Sequence, residues 1–147
     1  MKIYTIGFAQ KSAEEFFDLL RRNGVRRVVD IRLRPSGQLA GFARKDDLPY
    51  FLSNLADGCK YIHMPELAPT KDILDGYRKG GDDWADYERQ FRALMDERDI
   101  PAILDREGFE RQPSCLLCSE ATPEQCHRRL IAERIQANWP GVEIIHL

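Results

Sequence analysis

The most informative stretch of the sequence lies near its end and is Cys115-Leu-Leu-Cys118-Ser-Glu120-Ala-Thr122-Pro-Glu-Gln-Cys126-His127-Arg128-Arg129. The unbroken apolar run at its start is typical of a central parallel strand that is covered on both faces. Thr122 then predicts a helix cap, with Pro123 in the first helical position and Gln125 completing a capping box. We therefore expect a buried strand, a short loop and the start of a long helix.

Outward from this stretch, strand-like and helix-like segments alternate along the chain. The predicted strands are Lys2–Phe8, Val25–Ile31, Lys60–Met64, Ser114–Ser119 and Val142–Leu147. Predicted helices follow a cap at Ser12, cover Leu48–Ala56, follow a cap at Asp83 and follow the cap at Thr122. Ile100–Phe109 is ambiguous, and Pro101 favours a helix that begins there.

Two connections lack a regular pattern. Gly37–Asp47 is irregular, and Pro65–Asp82 predicts a loop with a single helical turn around Ile73–Tyr77. Both are long for connections, so they are candidate lids or walls of a site. The alternation predicts one α/β domain over residues 1–147, three-layer-like, with flanking helices and a mostly parallel sheet of about five strands.

The composition is that of an ordinary soluble globular protein. Of the 147 residues 43% are hydrophobic and 31% charged, and the formal net charge is −2. This charge excludes a general polyanion binder, so a phosphate or nucleic-acid site has to be local. No apolar run has the length of a membrane span, and no signal-peptide pattern is present. We therefore expect a cytoplasmic protein with four reduced cysteines and no membrane partner.

Polar residues follow the predicted strands at their carboxyl ends, where ligands bind in open parallel sheets. They are Gly7 after the first strand, Asp30, Arg32 and Arg34 after the second, His63 after the third, and Cys118, Glu120 and Cys126 to Arg128 after the fourth. The sequence therefore predicts that these groups converge at one edge of the sheet.

The groups at this edge favour an anionic ligand. Helix N-termini after Gly7 and after Thr122 offer free amides and positive dipole ends. Arg32, Arg34 and Arg128 can donate two hydrogen bonds at once to a phosphate or a carboxylate. The alternative is that these arginines pair with nearby carboxylates such as Asp30 or Glu120 and are structural. Gly7, Cys118 and His127 complete the predicted ligand-binding set.

Four residues at the edge can take part in catalysis. Asp30, His63 and Glu120 are candidate acids or bases, and Cys126 is a candidate nucleophile because a helix N-terminus lowers a thiol pKa. The alternatives are that Asp30 orients Arg32, that Glu120 pairs with Arg128, and that His63 and Cys126 are structural. Because neighbouring helical residues point about 100° apart, Cys126 and His127 are not expected to face each other.

A metal centre is a third interpretation of the cysteines and the histidine. Residues three apart on a strand point to opposite faces, so Cys115 and Cys118 are not expected to share one ion. A three-ligand set of Cys118, Cys126 and His127 is left as an alternative. The predicted set of sites includes no metal and no cofactor.

Several motifs together resemble the bacterial and archaeal domain-of-unknown-function family 488. They are Thr5-Ile-Gly7, Asp30-Ile-Arg32-Leu-Arg-Pro35-x-Gly37, Tyr61-Ile-His63-Met-Pro65-x-Leu67, and Leu117-Cys118-x-Glu120 followed by Cys126-His127-Arg128. The resemblance implies a compact α/β domain and no established activity. The chain departs from the family in having Phe8-Ala9 where glycine is often followed by histidine and serine, and Ala68 where the family has glycine.

Three functions are left to distinguish. The first is an enzyme that acts on a phosphorylated or nucleotide-like ligand at the carboxyl edge, with hydrolysis as a candidate reaction. The second is a non-catalytic module that binds a nucleotide or nucleic acid. The third is a Cys/His metal-binding or redox protein. The sequence predicts a small anionic ligand, admits nucleic acid as a partner, and does not indicate an oligomeric state.

Overall fold

A sheet of five parallel strands forms the centre of the computed structural model, which describes all 147 residues. The strands are β1 (Lys2–Gly7), β2 (Arg27–Asp30), β3 (Lys60–His63), β4 (Ser114–Cys118) and β5 (Glu143–His146). Their order across the sheet is β3-β2-β4-β1-β5. The predicted α/β fold is confirmed, and the apolar run that opens the informative stretch is indeed the central strand.

Six α-helices and two short 3₁₀ segments connect the strands. The helices are α1 (Ala13–Arg22), α2 (Leu48–Leu55), α3 (Lys71–Arg78), α4 (Trp84–Glu97), α5 (Arg106–Arg111) and α6 (His127–Asn138). The 3₁₀ segments are Gln38–Ala43 and Pro65–Leu67. The longest helix has 14 residues, and none has the length and apolar character needed to cross a lipid bilayer.

Strand alternation divides the core into two layers, one on each face of the sheet. In β4, Cys115 and Leu117 pack with α1 and α2, whereas Leu116 and Cys118 pack with α4 and α6. This arrangement follows from the two-residue period of a strand. It confirms that Cys115 and Cys118 lie on opposite faces.

The helix after β4 begins later than predicted. Thr122 and Pro123 lie in a bend, Glu124 and Gln125 form a turn, and α6 starts at His127 with Cys126 as its N-cap residue. The predictions of a capping box at Thr122 and of a helical position for Pro123 are therefore wrong. The fixed φ of proline is compatible both with the first turn of a helix and with a non-helical turn. Here the chain is non-helical.

Two other helix predictions also need correction. The segment after β3 holds a full helix, α3, in which the Thr70 hydroxyl accepts a hydrogen bond from the Ile73 amide, where only one turn was predicted. Only Ile73, Leu74 and Tyr77 of α3 pack against the core, each partly buried, so its apolar pattern is short. Pro101 lies in a turn, and α5 begins instead after Asp105, whose carboxylate accepts a hydrogen bond from the Gly108 amide.

Candidate functional site

A cleft opens at the carboxyl edge of the sheet, on the α4 and α6 side. It has a volume of about 240 Å³, and its walls come from the residues after β2, from α3 and the start of α4, and from the connection between β4 and α6. We call it the carboxyl-edge cleft. It lies where the rule for open parallel sheets places a ligand site.

The cleft is rich in positive charge. Its lining includes five cationic residues against two acidic ones, Asp75 and Glu120; the cationic residues are Arg32, Arg34, Lys71, Arg78 and Lys79. Lys71 pairs with Asp75 at 2.6 Å. Arg34, Arg78 and Lys79 are exposed and make no ion pair. The cleft is therefore locally cationic, although the formal net charge of the whole chain is −2.

Aromatic rings form another part of the cleft lining. Trp84 stacks on Tyr87 with ring centroids 4.9 Å apart, and Tyr77 meets Trp84 edge-on at 5.9 Å. Asp83 holds Trp84 in place because it begins α4 with a complete capping box. The Tyr77 hydroxyl donates to Gln125 Oε1 at 3.2 Å and so ties α3 to the connection between β4 and α6.

Three buried residues, Cys118, Cys126 and His127, form the floor of the cleft. Their two sulfurs and a ring nitrogen all lie within 4.8 Å of one another. The Cys118 sulfur is 3.5 Å from His127 Nδ1, and His127 Nε2 is 2.8 Å from the Ile31 carbonyl oxygen. The expectation that Cys126 and His127 would not face each other is wrong. Cys126 has extended backbone angles (φ −139°, ψ 137°), so the helical step does not apply to it.

The two thiols of the floor have opposite pKa shifts. The pKa of Cys118 is lowered, because its contact with Cys126, the amides of Ser119 and Glu120 and the charge of Arg128 favour its thiolate and outweigh burial. The pKa of Cys126 is raised by its contact with Cys118 and by burial. The floor is therefore suited to carry one negative charge.

Arg32 is neutralised next to the cleft by a buried ion pair. Its Nε and Nη2 donate to the two oxygens of Asp30 at 2.9 and 2.7 Å, and Nη2 also reaches the Ala43 carbonyl. The Tyr61 hydroxyl donates to Asp30 Oδ2 at 2.6 Å. Burial and this carboxylate raise the pKa of Tyr61. Asp30 does not line the cleft, and its oxygens are already engaged.

His63 belongs to this neighbouring unit rather than to the cleft lining. Its Nε2 is 2.8 Å from the Arg32 carbonyl oxygen, which can only accept, so the ring proton lies on Nε2. Its Nδ1 faces Lys45 Nζ at 3.4 Å. His63 thus fixes the backbone at Arg32.

Arg128 lies fully buried behind the cleft and does not line it. Its Nη1 donates to the Glu120 carbonyl oxygen at 2.6 Å and approaches the Cys126 sulfur at 3.5 Å. Nε and Nη2 have no partner, and no carboxylate pairs with it. A buried cation without an acidic partner is unusual, because removing a charge from water is costly.

Gly7 allows the Glu120 loop to cross the end of β1. A Cβ at this position would lie 1.6 Å from the Glu120 carbonyl oxygen and 2.9 Å from Arg128 Nη1. The next two amides, of Phe8 and Ala9, donate to the carbonyls of Cys118 and Ser119. The end of β1 therefore positions Glu120 at the cleft.

The structure brings six of the predicted site residues together in the cleft: Arg32, Arg34, Cys118, Glu120, Cys126 and His127. Gly7, Asp30, His63 and Arg128 lie around it without lining it. Most of the lining residues that sequence reasoning missed come from α3 and α4. Their signals were the Thr70 cap and the charges at helical spacing, Lys71, Asp75 and Arg78.

Comparison with known proteins gave one match. A family model described as Domain of unknown function DUF488 matches residues 12–135 of the chain. No significant match was found among curated proteins or among solved structures.

Proposed function

Because the chain belongs to the DUF488 family of unknown function, we propose its function from its cleft: it is an enzyme that binds a small phosphorylated, nucleotide-like ligand there. One observation carries the proposal. Three cationic residues that form no ion pair and three aromatic rings line the same small cleft.

Free cations at the cleft would hold the phosphate. Arg34, Arg78 and Lys79 form no ion pair, and only Asp75 acts on two of them by its charge, so their donors are available to a ligand. Guanidinium groups match the oxygens of a phosphate with paired hydrogen bonds. Arg32 is a weaker candidate, since Asp30 and the Ala43 carbonyl already take its donors.

Aromatic rings favour a planar group beside the phosphate. Tyr77 and Trp84 are half-buried, so part of each ring is accessible from the cleft. Stacking of a base on an aromatic side chain contributes about 1–3 kcal/mol and does not depend on the identity of the base. Charge and rings together favour a nucleotide over a simple sugar phosphate.

The size of the cleft limits the ligand. At about 240 Å³ it lies just below the usual range of small-molecule sites, roughly 300–1,000 Å³. This favours a mononucleotide, or the end of a longer chain, over a dinucleotide.

Glu120 is the group that we assign to proton transfer in a hydrolytic reaction. Its side chain is exposed, lines the cleft and makes no ion pair. A carboxylate so placed can take a proton from an attacking water molecule. Asp30 and His63 are less suited to this role, because both are engaged outside the cleft.

Thermal shifts with nucleoside monophosphates test the binding proposal. At a concentration about a hundredfold above Kd, a true ligand adds about 2.7 kcal/mol to the free energy of unfolding. Arg34→Ala and Arg78→Ala should each weaken binding about tenfold, a loss of about 1.4 kcal/mol. Arg89→Ala is the matched control, since Arg89 is exposed on α4 but pairs with Asp86 and does not line the cleft. Equal shifts in all three variants would refute the assignment.

Turnover of a bound nucleotide tests the catalytic part. Release of phosphate or base is followed by chromatography, and Glu120→Gln should lower the rate by about a hundredfold or more while binding persists. Glu124→Gln, on the same connection but outside the cleft lining, should keep the wild-type rate. Binding without turnover in the wild-type protein would instead support the non-catalytic module.

A further inference from the structure

We propose that Cys118, Cys126 and His127 form a metal site on the floor of the cleft, with zinc as the ion that this ligand set favours. The site does not depend on the proposed nucleotide, because it is carried by three protein ligands alone. Thiolate sulfur and imidazole nitrogen are the donors that select Zn²⁺ among common biological cations.

The distances fit a tetrahedral ion. Zinc–sulfur and zinc–nitrogen bonds of about 2.3 and 2.0 Å at tetrahedral angles place a sulfur and a nitrogen about 3.5 Å apart, and two sulfurs about 3.8 Å apart. The Cys118 sulfur and His127 Nδ1 are separated by 3.5 Å. All three donor atoms fall within 4.8 Å of one another, so small side-chain rotations are enough to close the set around one ion.

The histidine is already oriented as a ligand. The Ile31 carbonyl can only accept, so the proton lies on His127 Nε2 and the lone pair on Nδ1 faces the sulfurs. Histidines that bind metals commonly donate their other ring N–H to a carbonyl or carboxylate in this way. Phe91 packs edge-on against the ring at 5.5 Å and limits its rotation.

The surroundings of the sulfurs suit thiolates. Arg128 Nη1 lies 3.5 Å from the Cys126 sulfur, and this buried guanidinium has no carboxylate partner. On binding, Zn²⁺ would displace the thiol protons, and two thiolates would offset its two positive charges. The hydrogen bond that Arg128 Nη1 donates to the Cys126 sulfur would then stabilise a metal-bound thiolate.

The site has three protein ligands and a side that faces the cleft. No fourth cysteine, histidine or carboxylate joins the group, and all three members line the cleft. Structural zinc sites usually have four protein ligands, whereas catalytic sites have three and leave one position to water or substrate. The arrangement therefore matches the catalytic type.

Metal uptake by the reduced full-length protein tests this inference. Metal-free protein is incubated with Zn²⁺ alone, desalted and analysed for its elements, with one zinc ion per chain expected. Co²⁺ in place of Zn²⁺ should give a thiolate-to-cobalt charge-transfer band in the near ultraviolet and tetrahedral bands in the visible. Failure of the reduced wild-type protein to take up either ion would overturn the proposal without need of any variant.

Cysteine variants provide matched controls. Cys118→Ser and Cys126→Ser should each retain less than about one-tenth of an ion per chain and lose the charge-transfer band. Cys115→Ser changes a buried cysteine on the same strand that packs in the opposite layer, and it should retain the full ion. Zinc retained by the first two variants would contradict the site. So would a Cys118–Cys126 disulfide that persists under mild reduction and blocks uptake.

Discussion

Replacing Gly7 by alanine is expected to destabilise the protein and to displace the loop that presents Glu120. The new Cβ would lie 1.6 Å from the Glu120 carbonyl oxygen, whereas ordinary contact begins at 3.4 Å. The loop must therefore retreat by about 1.8 Å. The same carbonyl accepts the only hydrogen bond that the buried Arg128 guanidinium makes to oxygen, at 2.6 Å.

The size of the effect follows from these two contacts. Overpacking of this kind costs roughly 1–3 kcal/mol, and the loss of a hydrogen bond to a charged donor costs about 1.5–3 kcal/mol. Together they predict that the free energy of unfolding falls by roughly 2.5–6 kcal/mol. For a chain of this length that corresponds to a fall in Tm of about 5–24 °C.

Urea and thermal unfolding followed by circular dichroism measure this loss. Gly37→Ala is the matched control, because nothing lies within 4 Å of its new Cβ and its φ of −65° suits any residue. It should change stability by less than about 1 kcal/mol. A Gly7→Ala variant as stable as Gly37→Ala would refute the close approach of β1 and the Glu120 loop.

Two further predictions concern buried polar groups. Tyr61→Phe removes the hydroxyl that donates to Asp30 at 2.6 Å. The free energy of unfolding, measured by urea denaturation, should fall by about 1–2 kcal/mol. Tyr50→Phe, at an exposed ring, should leave it unchanged, and equal effects would contradict the buried pair. Burial raises the pKa of Cys59 to about 11, so its thiol stays protonated below that value. In folded protein at about pH 8 it should resist iodoacetamide, as mapped by mass spectrometry; alkylation as fast as in unfolded protein would contradict this.

The sequence was enough to predict the strands, since each is a short apolar run bounded by glycine, proline or polar residues. It was also enough to predict that the groups after β2 and β4 meet at one edge, because parallel strands share that edge. The strand order β3-β2-β4-β1-β5 could not be predicted in this way. It depends on how the helical connections between strands pack on the sheet, which the local sequence pattern does not specify.

Two features of the cleft could not be predicted from the local sequence pattern. Helix α3 has no fully buried residue and is followed by Gly80 and Gly81, so its sequence resembles a loop and its cations were missed. The three residues of the floor were predicted as site residues, but Cys126 and His127 were not expected to face each other, because the start of α6 was placed four residues too early, at Pro123 instead of His127. With that shift, Cys126 was predicted to be helical, although its backbone is extended. Its side chain was therefore predicted to point away from that of His127.

Binding of a nucleoside monophosphate to the wild-type protein, measured by isothermal titration calorimetry, tests the central claim most directly. Adenosine, guanosine, cytidine and uridine monophosphates are compared with the four nucleosides and with inorganic phosphate. The proposal predicts one site with a Kd below about 1 mM for at least one monophosphate, weaker binding of its nucleoside and of phosphate, and a loss of affinity with added salt. Absence of binding by all four monophosphates, or equal binding of nucleoside and nucleotide, would contradict it.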